Sequence, residues 1–222
     1  LKKKKEKTRN MHMPEVVSML PLDRSVHKAT SALSRGGVIV YPTETVYGLG
    51  VLVEREEGLE KIRQIKGREK KHTFLVLVSG EEMADRYVFL TPLARKLVRA
   101  FPENLSLILF PKEGFLQGVR AEDGTVGIRF SSHPFCQVLV RACGVPLVST
   151  SANGTGRMPE KTCGAVLESF GVKAKEISCA IDGGVCCAPP STIVDVREGE
   201  VRIVREGGLS REMIRKAGFE LV

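Results

Sequence analysis

The run Val38-Ile39-Val40-Tyr41 constrains this chain more than any other stretch. It is apolar and largely β-branched, with Gly36-Gly37 before it and Pro42 after it. Such a run reads as a short strand buried on both faces, and Pro42 ends it because proline lacks a ladder donor. Thr43, Glu44, Thr45 and Tyr47 then crowd polar groups at the strand's exit, followed by Gly48 and Gly50. Polar groups at the end of a buried strand mark the usual ligand position of α/β proteins. The glycines are expected to let backbone approach a ligand closely. An ordinary strand-to-loop exit is the alternative reading of the same residues.

Around this strand the pattern alternates. Helices are predicted over 24–35, 54–65, 133–143, 159–170 and 209–217, and one starting at Thr91-Pro92 with Leu93, Leu97, Val98 and Phe101 as its apolar stripe. Ser132 is the expected cap of the 133–143 helix. Strands are predicted over 74–78, 105–110, 125–130, 146–149, 177–181, 191–196 and 201–204, with a polar glycine-containing loop at 111–124. Alternating elements of this kind give an α/β sheet layered with helices.

The 222 residues suffice for one domain with a full core, and no apolar run approaches the roughly 20 residues that span a bilayer. The first ten residues carry six basic side chains and one acidic, so +5 of the net +8 sits there. Residues 1–13 therefore read as a basic, disordered tail and 14–222 as the domain. The tail is either a solvated segment or a weak electrostatic attractor of RNA, tRNA or a double-stranded RNA. It lacks the apolar segment of a secretory signal, and a cytoplasmic location is expected. The chain starts with Leu1, so Met11 or Met13 is a candidate true start. All six cysteines lie beyond residue 135, with no CxxC pair and no histidine after His133, which argues against a zinc site. Most are read as small buried hydrophobes, with Cys186-Cys187 in a Gly/Pro-rich loop as an oxidisable pair.

Three polar constellations stand out. Lys66-Gly67-Arg68 places two cations at a helix end, where they serve either a polyphosphate or the helix dipole. Ser149-Thr150-Ser151-Ala152-Asn153-Gly154 follows a strand with hydroxyls and an amide that can bind phosphate oxygens. Arg129 ends the run Val126-Gly127-Ile128, suited either to an anion or to a structural ion pair with Glu or Asp. No Ser-His-Asp pattern, Cys-His pattern or P-loop spacing is present, and no carboxylate cluster looks like a metal cage.

The wording of these blocks resembles the YrdC/TsaC family of threonylcarbamoyl-AMP synthases, in its short form without a further C-terminal domain. The resemblance rests on GGVIVYPTETVYGLG at 36–50, IKGR at 65–68, TVGIR at 125–129 leading to STSAN at 149–153, and DGG at 182–184 with PSTIVD at 190–195 and Arg205. It covers about residues 24 to 210 and implies a twisted open mixed sheet with flanking helices. It implies synthesis of threonylcarbamoyl-adenylate and pyrophosphate from L-threonine, bicarbonate and ATP, with Mg2+ accompanying the ATP, for tRNA threonylcarbamoyladenosine modification through partner transfer proteins. Carried over residue by residue, Lys66 and Arg68 are the catalytic phosphate grip. Thr125, Ser151, Asn153 and Arg205 contact ATP, while Thr43, Arg129, Ser149 and Ser191 form the L-threonine pocket, with Arg129 on the carboxylate. The chain departs from the family at Glu69 and Thr73-Phe74, where proline and a Pro-Leu are usual. It departs again at Glu103, Asn104 and Ser106, where Pro-Gly-Pro-x-Thr is usual. These departures leave open a YciO-type paralogue of altered substrate. A non-catalytic RNA-binding module is the remaining alternative, against which 5% aromatic content without Trp counts.

Overall fold

The computed structural model describes residues 13–67 and 73–222. Within them one mixed sheet of ten strands runs through the molecule, with seven α-helices packed around it. The strands are β1 (Glu15–Ser18), β2 (Val38–Tyr41), β3 (Gly48–Leu52), β4 (Leu75–Val78), β5 (Leu105–Leu109), β6 (Val126–Phe130), β7 (Leu147–Ser151), β8 (Ile177–Asp182), β9 (Thr192–Asp195) and β10 (Arg202–Arg205). Their order is β1-β8-β2-β3-β7-β4-β6-β5-β9-β10. The helices are α1 (Leu22–Ser34), α2 (Glu56–Lys66), α3 (Glu81–Tyr87), α4 (Pro92–Ala100), α5 (Pro134–Cys143), α6 (Cys163–Phe170) and α7 (Arg211–Lys216).

β2 occupies the predicted residues and all four of its side chains are buried. The helix at 92–100 starts as expected, with Thr91 Oγ1 accepting the Ala94 N–H at 3.1 Å. Gly67 ends α2 in the left-handed region at φ 61°, where a side chain would be strained.

Some expectations change. Gly48 and Gly50 open no space for a ligand: they lie in β3, antiparallel to β2, beneath the ring of Tyr41. A Cβ on Gly50 would stand 2.8 Å from Tyr41 Cε1, and one on Gly48 2.9 Å from Tyr41 Cζ. The glycines make room for that fully buried ring, whose hydroxyl donates to Ser149 Oγ at 2.7 Å. Ser132 is not the cap of α5. His133 holds that position without a side-chain bond, and Ser131 Oγ accepts the His133 N–H at 3.2 Å. The 159–170 helix begins only at Cys163, capped by Thr162. β1 and α3 were not legible in the pattern. Of the cysteines, Cys136, Cys163, Cys179 and Cys186 are buried and Cys187 is exposed.

Asn104 holds φ 59° immediately before β5. Where the family pattern has proline, whose φ is fixed near −65°, this chain has a residue type that tolerates the left-handed region. The turn into β5 therefore follows a path closed to proline. Asn104 O accepts the Thr192 N–H at 2.7 Å, which ties the turn to β9.

Candidate active site

The loop leaving β2 is folded by its own hydroxyls. Thr43 Oγ1 donates to Val46 O at 2.7 Å and accepts the Thr45 N–H at 3.1 Å. This compact turn presents Thr43, Glu44 and Thr45 to Arg129, which arrives from β6. Arg129 Nη2 donates to Thr45 Oγ1 at 2.7 Å and to Glu44 Oε1 at 2.8 Å, with Thr43 Oγ1 at 3.5 Å. Ser131 donates to the other oxygen of Glu44. Arg129 is 8% exposed and its Nε–H has no partner among the described residues. Burial pushes the Glu44 carboxyl up, but the Arg129 charge and the bonds from Ser131 and Arg129 outweigh it and hold it below the usual range. His133 stands beside the same carboxylate. Burial lowers its pKa, the Glu44 charge opposes that, and burial prevails.

Ser106 of β5 is the register partner of Arg129, so both side chains leave the same face of the sheet. Ser106 Oγ lies 2.9 Å from Ser191 Oγ, and Arg205 Nη2 donates to Ser191 O at 2.7 Å. Burial, helped by the nearby Arg129 charge, lowers the Arg205 pKa. Thr43, Arg129, Ser191 and Arg205 thus converge, joined by Glu44, Thr45, Ser106 and Ser131.

A second group forms at the end of β7. Lys66, in the last turn of α2, is buried, and its Nζ donates to Ser151 O and to Asn153 O, the latter at 2.7 Å, with Asn153 Oδ1 at 3.5 Å. Lys66, Ser151 and Asn153 are therefore assembled, with Lys66 holding the Ser151 carbonyl rather than its hydroxyl. The Ala152 N–H donates to Tyr47 O at 2.7 Å, which docks this group on the loop that holds Thr45. Thr45 and Tyr47 are two residues apart, at most about 7 Å, so the two groups are neighbours.

The remaining predicted residues fare differently. Arg68 and Glu69 lie outside the described residues. Ser149 is buried, its Oγ accepting from Tyr41. Thr125 precedes β6 at the end away from Arg129, and its hydroxyl donates to Asp123 at 2.6 Å, which in turn pairs with Arg197. The sequence reading places Glu44 and Thr45 among the polar groups at the strand exit without a specific contact, names Ser106 only as a departure from the family pattern, and does not single out Ser131. The hydroxyl-rich Thr-Glu-Thr run was the available signal, but the partner of Glu44 is 85 positions away. Among the described residues no group of three or more His, Cys, Asp or Glu is placed to hold a metal ion, and no helix is long and apolar enough to cross a membrane.

A nearly buried arginine ringed by hydroxyls thus stands next to a buried lysine at a strand-end loop. The family model for Sua5/YciO/YrdC, described as Telomere recombination, matches residues 31–207, and the chain belongs to that family. The chain is 35% identical over 177 residues to a threonylcarbamoyl-AMP synthase of Nitrosococcus oceani, covering 79% of this chain and 95% of that protein. It is 31% identical over 189 residues to YciO of Escherichia coli K12, described as uncharacterized, covering 84% of this chain and 91% of that protein. Among solved structures, Sua5 of P. abyssi complexed with L-threonine superposes with a TM-score of 0.83 at 26% identity. That superposition covers 95% of this chain and 62% of the longer Sua5 chain. The E. coli YciO crystal structure gives a TM-score of 0.77 at 28% identity, covering 88% of this chain and 94% of that one.

Proposed function

We propose that this protein is an ATP-dependent nucleotidyltransferase that joins L-threonine, bicarbonate and ATP into threonylcarbamoyl-adenylate, releasing pyrophosphate. The threonine amine attacks bicarbonate and water leaves, giving a carbamate. A carbamate oxygen then attacks the α-phosphorus, and the bond to the pyrophosphate oxygen breaks. Such a step needs alignment and neutralised charge more than a dedicated base. Arg129 takes the amino-acid carboxylate, with Thr43 and Ser191 around the side chain. Lys66, together with Arg68, grips the phosphates, while Ser151, Asn153 and Arg205 hold the nucleotide. Thr125 can donate to the nucleotide only on releasing Asp123, whereas Ser149 accepts from Tyr41 and keeps its own O–H to donate. Magnesium would come with the nucleotide and would neutralise phosphate charge beside Lys66 and Arg68. The Lys66 ammonium fits that use, since it supplies cationic charge to phosphates without competing as a metal ligand. The acyl-adenylate serves tRNA modification through transfer proteins in the cytoplasm.

The observation that carries this reading is the neighbouring placement of Arg129 with its hydroxyls and Lys66 with Ser151 and Asn153. Its support outside this chain is the name of the Nitrosococcus relative and the threonine complex of the Sua5 neighbour. Pyrophosphate release from ATP and bicarbonate, with each amino acid in turn, tests it: release should depend on L-threonine. A second reading, a YciO-type paralogue of altered substrate, is favoured by the left-handed Asn104 and by Ser106 in place of threonine beside Arg129. Release driven by a different amino acid would select it.

A further inference from the structure

The Arg129–Glu44 pair is largely shielded from solvent, with side-chain exposures of 10% and 12%, yet it is unevenly made. Among the described residues Arg129 is bonded through Nη2, which serves Glu44, Thr45 and Thr43 together. Its Nε–H is buried with no partner among the described residues. Glu44 gives one oxygen to Arg129 and the other to Ser131. A carboxylate offers about four acceptor positions, and Arg129, Ser131 and its own backbone N–H take three, so about one stays available. A buried cation with a spare donor thus stands 2.8 Å from a largely shielded anion with a spare acceptor position. That is the complement of a zwitterion, in which carboxylate and ammonium hang from one carbon.

We propose that Glu44 binds the ammonium of the amino-acid substrate while Arg129 binds its carboxylate, the two closing on each other when no ligand is present. This rests on the reading above that an amino acid docks at Arg129. An incoming carboxylate gives the Nε–H the partner it lacks, and an incoming ammonium replaces the charge that Glu44 loses from Arg129. Neither buried charge is left uncompensated during the exchange, which would otherwise be costly. Glu44 is held below the ordinary carboxylate range, so it meets the incoming ammonium as an ionised carboxylate, and the ammonium gives its proton to bicarbonate before the free amine attacks.

Calorimetry on the full chain with L-threonine and with 3-hydroxybutyrate, which keeps the carboxylate and hydroxyl but lacks the amine, separates the possibilities. A charge-assisted contact corresponds to about tenfold or more in affinity, so the wild type should prefer L-threonine by at least that factor. Glu44→Gln should shrink the preference to about twofold, with 3-hydroxybutyrate bound as well as before or better, since Arg129 is released. Glu44→Asp should keep a clear preference. The 3-hydroxybutyrate titration also reports that the variant is folded. Equal weakening of both ligands by Glu44→Gln would reduce Glu44 to a support for Arg129 and overturn the proposal, as would an unchanged preference. If the wild type bound ATP but neither acid, the amino-acid reading of the site would fall and this proposal with it.

Discussion

At the scale of single residues, the buried charges make two predictions. Lys66 is not a cation waiting at a helix end: it is 6% exposed and joins α2 to the 151–153 loop. Lys66→Ala should weaken ATP binding strongly. The same change strands the Ser151 and Asn153 carbonyls, so it should also cost about 1–3 kcal/mol of stability. Calorimetry with ATP and urea unfolding of the same variant measure the two effects. Acid sensitivity is the second prediction. The folded-state pKa values of His133 and Glu44 are both depressed, so each contributes stability that is present above its unfolded pKa and is lost as pH falls through its folded pKa. Loss should begin below about pH 6.5 for His133 and below about pH 4.3 for Glu44. His133→Gln should flatten the first part of that decline in urea unfolding at a series of pH values, and an unchanged slope would remove His133 from the account. Glu44 also marks the limit of reading such residues in advance. Its carboxylate was visible in the sequence, but nothing local could show that its partner was Arg129.

At the scale of elements, β2 and β3 act as one packing unit. Tyr41 is opposite Gly48, and its ring covers both glycines while its hydroxyl reaches Ser149 on β7. Gly48→Ala should destabilise by about 1–3 kcal/mol through overpacking, because the nearest atoms a Cβ would meet there all belong to the enclosed Tyr41 ring. Shrinking the ring in Tyr41→Leu should make the same alanine nearly neutral, giving a clear coupling energy in a double-mutant cycle. Additive effects would mean that the glycines serve something else. This unit also explains what was legible. The apolar run of β2 announced itself, as did the Thr91 cap. β3 did not, because its glycines alternate with Leu49 and Val51 in a strand buried on both faces, which leaves no alternation of apolar and polar side chains to read. β1, only four residues long, and α3, one of seven, offer too little periodicity to be recognised. Glycines set against a ring and glycines set against a ligand look alike in sequence, and only the cross-strand register separates them.

For the whole molecule, the sheet decides what the site can discriminate. Residues from β2's exit loop, β5, β6 and the approach to β9 meet around one guanidinium, although they span positions 43 to 191. Most of the polar side chains gathered there carry hydroxyls: Thr43, Thr45, Ser106, Ser131 and Ser191. The basic residues 1–10 lie outside this assembly in the sequence reading, so deleting them should leave pyrophosphate release unchanged while reducing salt-sensitive retention on RNA. A loss of release on deletion would move the tail into the site. Amino-acid choice is the sharper test. A site built to hydrogen-bond a substrate hydroxyl rejects the analogue without it, because its own buried polar groups are left unpaired. L-Valine has nearly the shape of L-threonine but no hydroxyl, and should support far less pyrophosphate release. L-Serine keeps the hydroxyl and loses one methyl contact, which is the smaller penalty, so it should fall between them. Arg129→Ala should raise the L-threonine concentration needed for half-maximal release more than that of ATP, because the carboxylate loses its buried counter-charge while Lys66 is untouched. Equal release with L-valine and L-threonine would mean that the hydroxyl ring serves only to hold Arg129 and Glu44 in place, and would turn the function toward the YciO-type alternative.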